Sequence, residues 1–120
     1  AGDDKAVQGK LRKDGTEVVW LPTGNDAIDL VALMGYLAER EVNEVLMETG
    51  ATLSGALLRA GIIDELIVYM APKLMGNNAR GLFHTPGLDE LADAVELDIQ
   101  EVRAVGDDWR ITAKIKEVMA

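Results

Sequence analysis

The run Glu48-Thr49-Gly50-Ala51-Thr52-Leu53-Ser54-Gly55 has the composition of an anion cradle. Small residues at Gly50, Ala51 and Gly55 let a ligand approach the main chain, and a helix starting there aims the unpaired amides of its first turn at that ligand. The group this arrangement suits is a phosphate. Thr52 or Ser54 can add a hydroxyl donor, and no Lys or Arg within the run is required. A nucleoside-triphosphate loop is excluded because Ala56-Leu57 stand where Lys and Ser or Thr are needed, and the Gly-x-Gly-x-x-Gly fingerprint is also absent. Spacing alone also fits a plain capped helix start with Thr49 or Thr52 as the cap, which is the commoner arrangement. Glu48, at the head of the run, either faces solvent or accepts hydrogen bonds from a donor-rich ligand group, because a carboxylate is not buried unpaired.

Other chemistry-bearing residues are weaker candidates. His84 is the only histidine and has no second histidine or acid at ligand spacing, so it reads as a surface residue and no metal site is expected. Lys73 and Arg80 flank the turn-forming Gly76-Asn77-Asn78 and can hold an anion, but solvated loop charges are the simpler account. Trp20 and Trp109 sit in strand-like patterns and are expected to pack.

The elements that position the cradle follow from periodicity and turn formers. Residues 16–21 are rich in β-branched and aromatic types and are stopped by Pro22-Thr23-Gly24-Asn25, which predicts a first strand. From Asp26, Leu30, Leu33, Met34 and Leu37 recur at helical spacing, with Ile28, Val31, Ala32 and Ala38 widening the stripe into a largely covered helix. Val45-Leu46-Met47 reads as a short buried strand ending at Glu48. A helix over residues 51–60 ends at Gly61, the left-handed residue of a helix terminus, and residues 65–70 form the next strand. Strand, helix and strand in such close succession predict a right-handed crossover between parallel strands. Beyond a loop over residues 72–86 and a short helix within 88–94, residues 97–105 form a strand whose apolar parity changes between Ile99 and Val102, the sign of a bulge. A turn at Val105-Gly106-Asp107-Asp108 leads into Trp109, Ile111, Ala113 and Ile115, which alternate with polar residues. The expected class is α/β, a mixed sheet with a parallel βαβ core and a C-terminal antiparallel hairpin.

Composition narrows the function classes. The 120 residues suffice for one domain or part of one, and 48% hydrophobic with 28% charged residues is ordinary for a globular chain. Twelve Lys and Arg against 21 Asp and Glu give a net charge of -9, and the one basic cluster, Lys10, Arg12 and Lys13, lies in a polar lead-in. No nucleic-acid partner is expected. The absence of cysteine excludes a disulfide framework, a thiol nucleophile and a thiolate zinc site. Apolar runs fall far short of the roughly 20 residues that span a bilayer, so no membrane partner is expected and a cytoplasmic location is the default.

From Val45 onward the sequence resembles the reductase domain of bacterial riboflavin-biosynthesis deaminase/reductase proteins. The matching residues run unbroken from Met47-Glu48-Thr49-Gly50-Ala51-Thr52-Leu53-Ser54-Gly55-Ala56 to Leu57-Leu58-Arg59-Ala60-Gly61. They continue with Ile63-Asp64-Glu65-Leu66, Tyr69-Met70-Ala71-Pro72-Lys73-Leu74-Met75-Gly76, Ala79-Arg80-Gly81-Leu82, Pro86-Gly87-Leu88 and Val102-Arg103-Ala104-Val105-Gly106-Asp107-Asp108. The resemblance implies a dihydrofolate-reductase-like fold in which NADPH reduces 5-amino-6-(5-phosphoribosylamino)uracil to its ribitylamino product. It assigns Gly50, Ala51, Thr52, Leu53, Ser54, Gly55 and Ala56 to the cofactor and Glu48 to the substrate. It names no further catalytic residue.

Such a reductase domain begins well upstream of what residues 1–120 match. The chain is therefore expected to be the C-terminal part of a single reductase domain, incomplete at the N-terminus, either as a fragment or as a natural short relative, and inactive in isolation. The sheet should then have an uncovered edge or face, and a homo-oligomer is the expected remedy. Two alternatives differ in class: a non-catalytic nucleotide-binding or dimerisation module, and a dihydrofolate reductase proper, which the Glu48 to Gly55 run fits less well.

Overall fold

The computed structural model describes residues 5–21 and 27–116. The expected turn at Pro22-Thr23-Gly24-Asn25 and the helix start at Asp26 lie outside the described residues, as does most of the polar opening. The chain divides into two compact units, Ala1–Met47 and Glu48–Ala120.

In the first unit the lead-in forms helix α1, Lys5–Lys13, whose last turn carries Lys10, Arg12 and Lys13. Cations there complement the negative end of the helix dipole. Periodicity gave little warning of α1, since only Val7 and Leu11 mark an apolar face and both remain exposed. Residues 16–21, expected as a strand, do not belong to the sheet; the Asp29 amide donates to the Leu21 carbonyl at 2.8 Å. Helix α2, Leu30–Glu39, starts at Asp29, whose carboxylate accepts from the Ala32 amide at 2.9 Å. Its stripe is half-covered at best, with Val31 63% exposed, so the expectation of a largely covered helix is not met. Glu17 ties the extended segment to α2 by accepting from the Tyr36 hydroxyl at 2.6 Å and from Arg40 Nη1 at 2.7 Å. The Tyr36 hydrogen bond, then that of Arg40, holds the Glu17 carboxyl below its ordinary value.

The second unit carries helix α3, Ala51–Arg59, and strands β1, Leu66–Met70, β2, Leu97–Val105, and β3, Asp108–Ile115. The sheet order is β1-β3-β2 and both pairings are antiparallel. The α/β class and the C-terminal hairpin stand, but the parallel core does not. Residues 45–47 are not a strand of the described sheet, and Leu46 is 80% exposed. Three apolar residues in a row report a demand for burial, whereas a strand also needs a neighbouring backbone to pair its amides and carbonyls. The predicted bulge falls between Ile99 and Glu101. Gly61 at φ 70 ends α3 and Gly106 at φ 60 turns β2 into β3, both conformations that glycine adopts without a Cβ penalty. The expected helix within residues 88–94 is one 3-10 turn, Leu91–Asp93, closed by a reciprocal Glu90 and Asp93 capping box.

The register gathers one apolar sheet face. Leu66, Val68 and Met70 stand opposite Ala113, Ile111 and Trp109, and across β3 lie Leu97, Ile99, Val102 and Ala104. At one end Leu58 of α3, with Phe83 and Leu88 of the connecting segment, borders a small cavity of about 180 Å³ over Leu66, Leu97 and Ile115. Leu57 and Ala113 are the buried apolar side chains among the described residues. The other end of the face is bare, with Met70 53%, Val102 54% and Trp109 46% exposed.

Candidate functional site

Helix α3 begins at Gly50, which is extended at φ -72, ψ 171 and makes no side-chain capping bond. The Ser54 amide closes the first helical turn onto the Gly50 carbonyl at 3.0 Å. The amides of Ala51, Thr52 and Leu53 precede that bond and have no partner within the helix. Neither threonine caps this start. The Thr49 hydroxyl instead lies 2.7 Å from the Ser54 hydroxyl, which also reaches the Thr49 carbonyl at 3.3 Å. The capped-start alternative thus lacks its capping bond, and the free amides remain available to an acceptor from outside.

An open cleft of about 640 Å³ lies at this helix start, bounded by residues 50–53 on one side and by Arg80, Gly81, Phe83 and His84 on the other. The second wall is fastened to the first by the His84 amide, which donates to the Ala51 carbonyl at 2.9 Å. A Cβ at Gly50 would meet no protein atom within 4 Å, so the space above this residue belongs to the cleft. At Gly55 the situation is opposite. A Cβ there would overlap the carbonyl oxygen of His84, so this glycine is required by the close approach of the second wall and not by room for a ligand.

The residues singled out in the sequence are therefore distributed unequally. Gly50, Ala51, Thr52 and Leu53 line the cleft; Ser54, Gly55 and Ala56 do not. Thr52 is the hydroxyl donor left free at the cleft, because that of Ser54 is engaged by Thr49. Glu48 is exposed and outside the cleft lining. His84 is exposed, as its sequence context suggested, yet it contributes to the cleft wall. Arg80, weighed in the sequence with Lys73 as able to hold an anion but set down as a solvated loop charge, lines the cleft, and so does Phe83. No local pattern fixes their place in the wall, which depends on a hydrogen bond between distant segments. Among the described residues no group of three His, Cys, Asp or Glu side chains could hold a metal ion. None of the described helices is long and apolar enough to cross a membrane.

Residues 2–111 match the family model of the RibD C-terminal domain. The chain is 51% identical over 88 residues to the riboflavin biosynthesis protein RibD of Escherichia coli (strain K12), an alignment covering 73% of this chain and 24% of that protein. It is 34% identical over 94 residues to the 5-amino-6-(5-phosphoribosylamino)uracil reductase of Buchnera aphidicola subsp. Acyrthosiphon pisum (strain APS), covering 78% of this chain and 45% of that reductase. Among solved structures, Acinetobacter baumannii RibD superposes with a TM-score of 0.77 at 28% identity, covering 90% of this chain and 29% of that one. The α/β fold is thus of the dihydrofolate-reductase-like class that the resemblance implied, and the chain spans a quarter to less than half the length of these relatives.

Proposed function

Because the chain belongs to the RibD C-terminal domain family, we propose that it furnishes the cofactor-phosphate loop of an NADPH-dependent reductase acting on 5-amino-6-(5-phosphoribosylamino)uracil. The observation that carries this reading is the uncapped start of α3 in the wall of an open cleft. The donor set fits a dinucleotide phosphate: neutral amides aligned with a helix dipole, one free threonine hydroxyl, and a glycine that leaves the approach open. When bound, NADPH supplies the hydride that reduces the ribosyl group.

The chain's own residues bind and orient. The amides of Ala51, Thr52 and Leu53 hold the phosphate, and Gly50 admits it. Ser54, Gly55 and Ala56 shape the loop from behind, Ser54 by fixing Thr49 and Gly55 by letting the His84 segment pack. The Glu48 carboxylate accepts hydrogen bonds from the amino and ring N–H donors of the pyrimidine. In this reading residues 1–120 are the C-terminal part of a single cytoplasmic reductase domain.

Ala51→Pro tests the loop. The first helical position tolerates proline because its amide is outside the helical ladder, so the substitution deletes one donor while preserving the helix. NADPH affinity should fall about tenfold, within the range of one charge-assisted hydrogen bond. Unchanged affinity with an intact helix by circular dichroism would discard the loop assignment.

A further inference from the structure

We infer that Arg80 is a cofactor-binding residue of this cleft and pairs with a phosphate of the dinucleotide held at the start of α3, an inference that rests on the loop reading above. Of the residues lining the cleft, Arg80 is the one whose side chain is always cationic, and it stands across from Gly50, Ala51, Thr52 and Leu53. The chain carries 21 acidic residues against 12 Lys and Arg, so acidic partners are abundant. Three other basic residues, Arg40, Arg110 and Lys116, take one each in Glu17, Glu101 and Glu96. Arg80, like most of the other basic residues, takes none among the described residues and is exposed, so it is its place in the cleft lining that singles it out.

Arg80 also brings a fixed positive charge to the cleft that the helix start lines. The N-terminal end of a helix carries a partial positive charge, and a guanidinium set beside it is unfavourable until an anion lies between the two. A phosphate resolves this conflict from both sides: it accepts from the helix amides on one face and from the planar fork of arginine on the other. The His84 to Ala51 hydrogen bond joins the segment that follows Arg80 to the helix start.

The test titrates NADPH and NADH into the full chain and its Arg80→Gln, Arg80→Lys and Lys73→Ala variants, with folding checked by circular dichroism. Arg80→Gln should raise the NADPH Kd at least tenfold, Arg80→Lys should recover part of the loss, and Lys73→Ala, outside the cleft lining, should change it less than twofold. A loss confined to NADPH places the pairing on the 2′-phosphate, and an equal loss with NADH places it on the pyrophosphate; both support the inference. Arg80→Gln within twofold of the unsubstituted chain, while Ala51→Pro still weakens binding, overturns the role of Arg80 and leaves the loop standing. Absence of NADPH binding by the unsubstituted chain overturns the loop and Arg80 with it.

Discussion

Glu48 stands exposed at the junction where the extended chain gives way to α3, with no hydrogen bond or ion pair among the described residues. A carboxylate left free beside a cleft is available to a ligand rich in donors, and the aminopyrimidine of the proposed substrate is one. Glu48→Gln in a complete reductase domain exchanges an ionised acceptor for an amide with a single oxygen, removing a charge-assisted bond of about 1.5–3 kcal/mol. The pyrimidine KM or kcat should worsen at least tenfold while NADPH affinity barely moves. Normal kinetics for the pyrimidine would return Glu48 to a solvent-facing role. At this scale the sequence was readable wherever one residue type answers a local demand. Gly61 and Gly106 are legible because their backbone angles exclude most side chains. Arg80 was only half legible for the converse reason: the turn beside it allowed an anion-holding role for Arg80 and Lys73 alike, and only the wall formed with another segment separates the two.

The start of α3 depends on two segments meeting. Ala51 accepts from His84, and Gly55 on the same helix admits the His84 carbonyl, so helix and connecting segment are clasped at two points one turn apart. Gly55→Ala forces that clasp open, because the obstructing atom is main chain and cannot rotate away. Overpacking of this kind destabilises by about 1–3 kcal/mol. The urea midpoint should fall accordingly, and amide exchange at His84 should accelerate relative to that in β2 and β3. An unshifted midpoint would mean the clasp is dispensable. Element types were partly legible. The hairpin announced itself through strict alternation and a glycine turn, and its bulge through a change of parity. The parallel crossover was misread because periodicity measures which side chains seek cover and is silent on which backbone supplies a partner; the sheet takes its third strand, β1, against β3 in antiparallel register.

At the scale of the whole molecule the decisive feature is a sheet face covered at one end only. Its register aligns apolar side chains across all three strands, so the face is built for burial along its full length, yet Met70, Ile99, Val102 and Trp109 stay exposed. We propose that a second copy of the chain covers this contiguous apolar surface, since patches of this kind mark interaction sites. The fold class was readable from the sequence because its blocks match a family, whereas the bare end was not, since alternation in β3 looks the same whether or not its apolar face is covered.

The bare end carries its own optical probe. Indole emission shifts to shorter wavelength when water leaves the ring, and the chain has two tryptophans, of which Trp20 is 54% exposed and Trp109 46%. Trp20→Phe leaves Trp109 as a single reporter placed on the surface whose coverage is in question. If copies of the chain associate through this face, the emission of Trp109 should move to the blue with rising concentration, in step with the mass seen by sedimentation. Val102→Lys, which plants a charge on the same patch, should abolish both changes together. Association without any spectral shift would locate the contact elsewhere on the molecule, and the colour of one indole would have decided it.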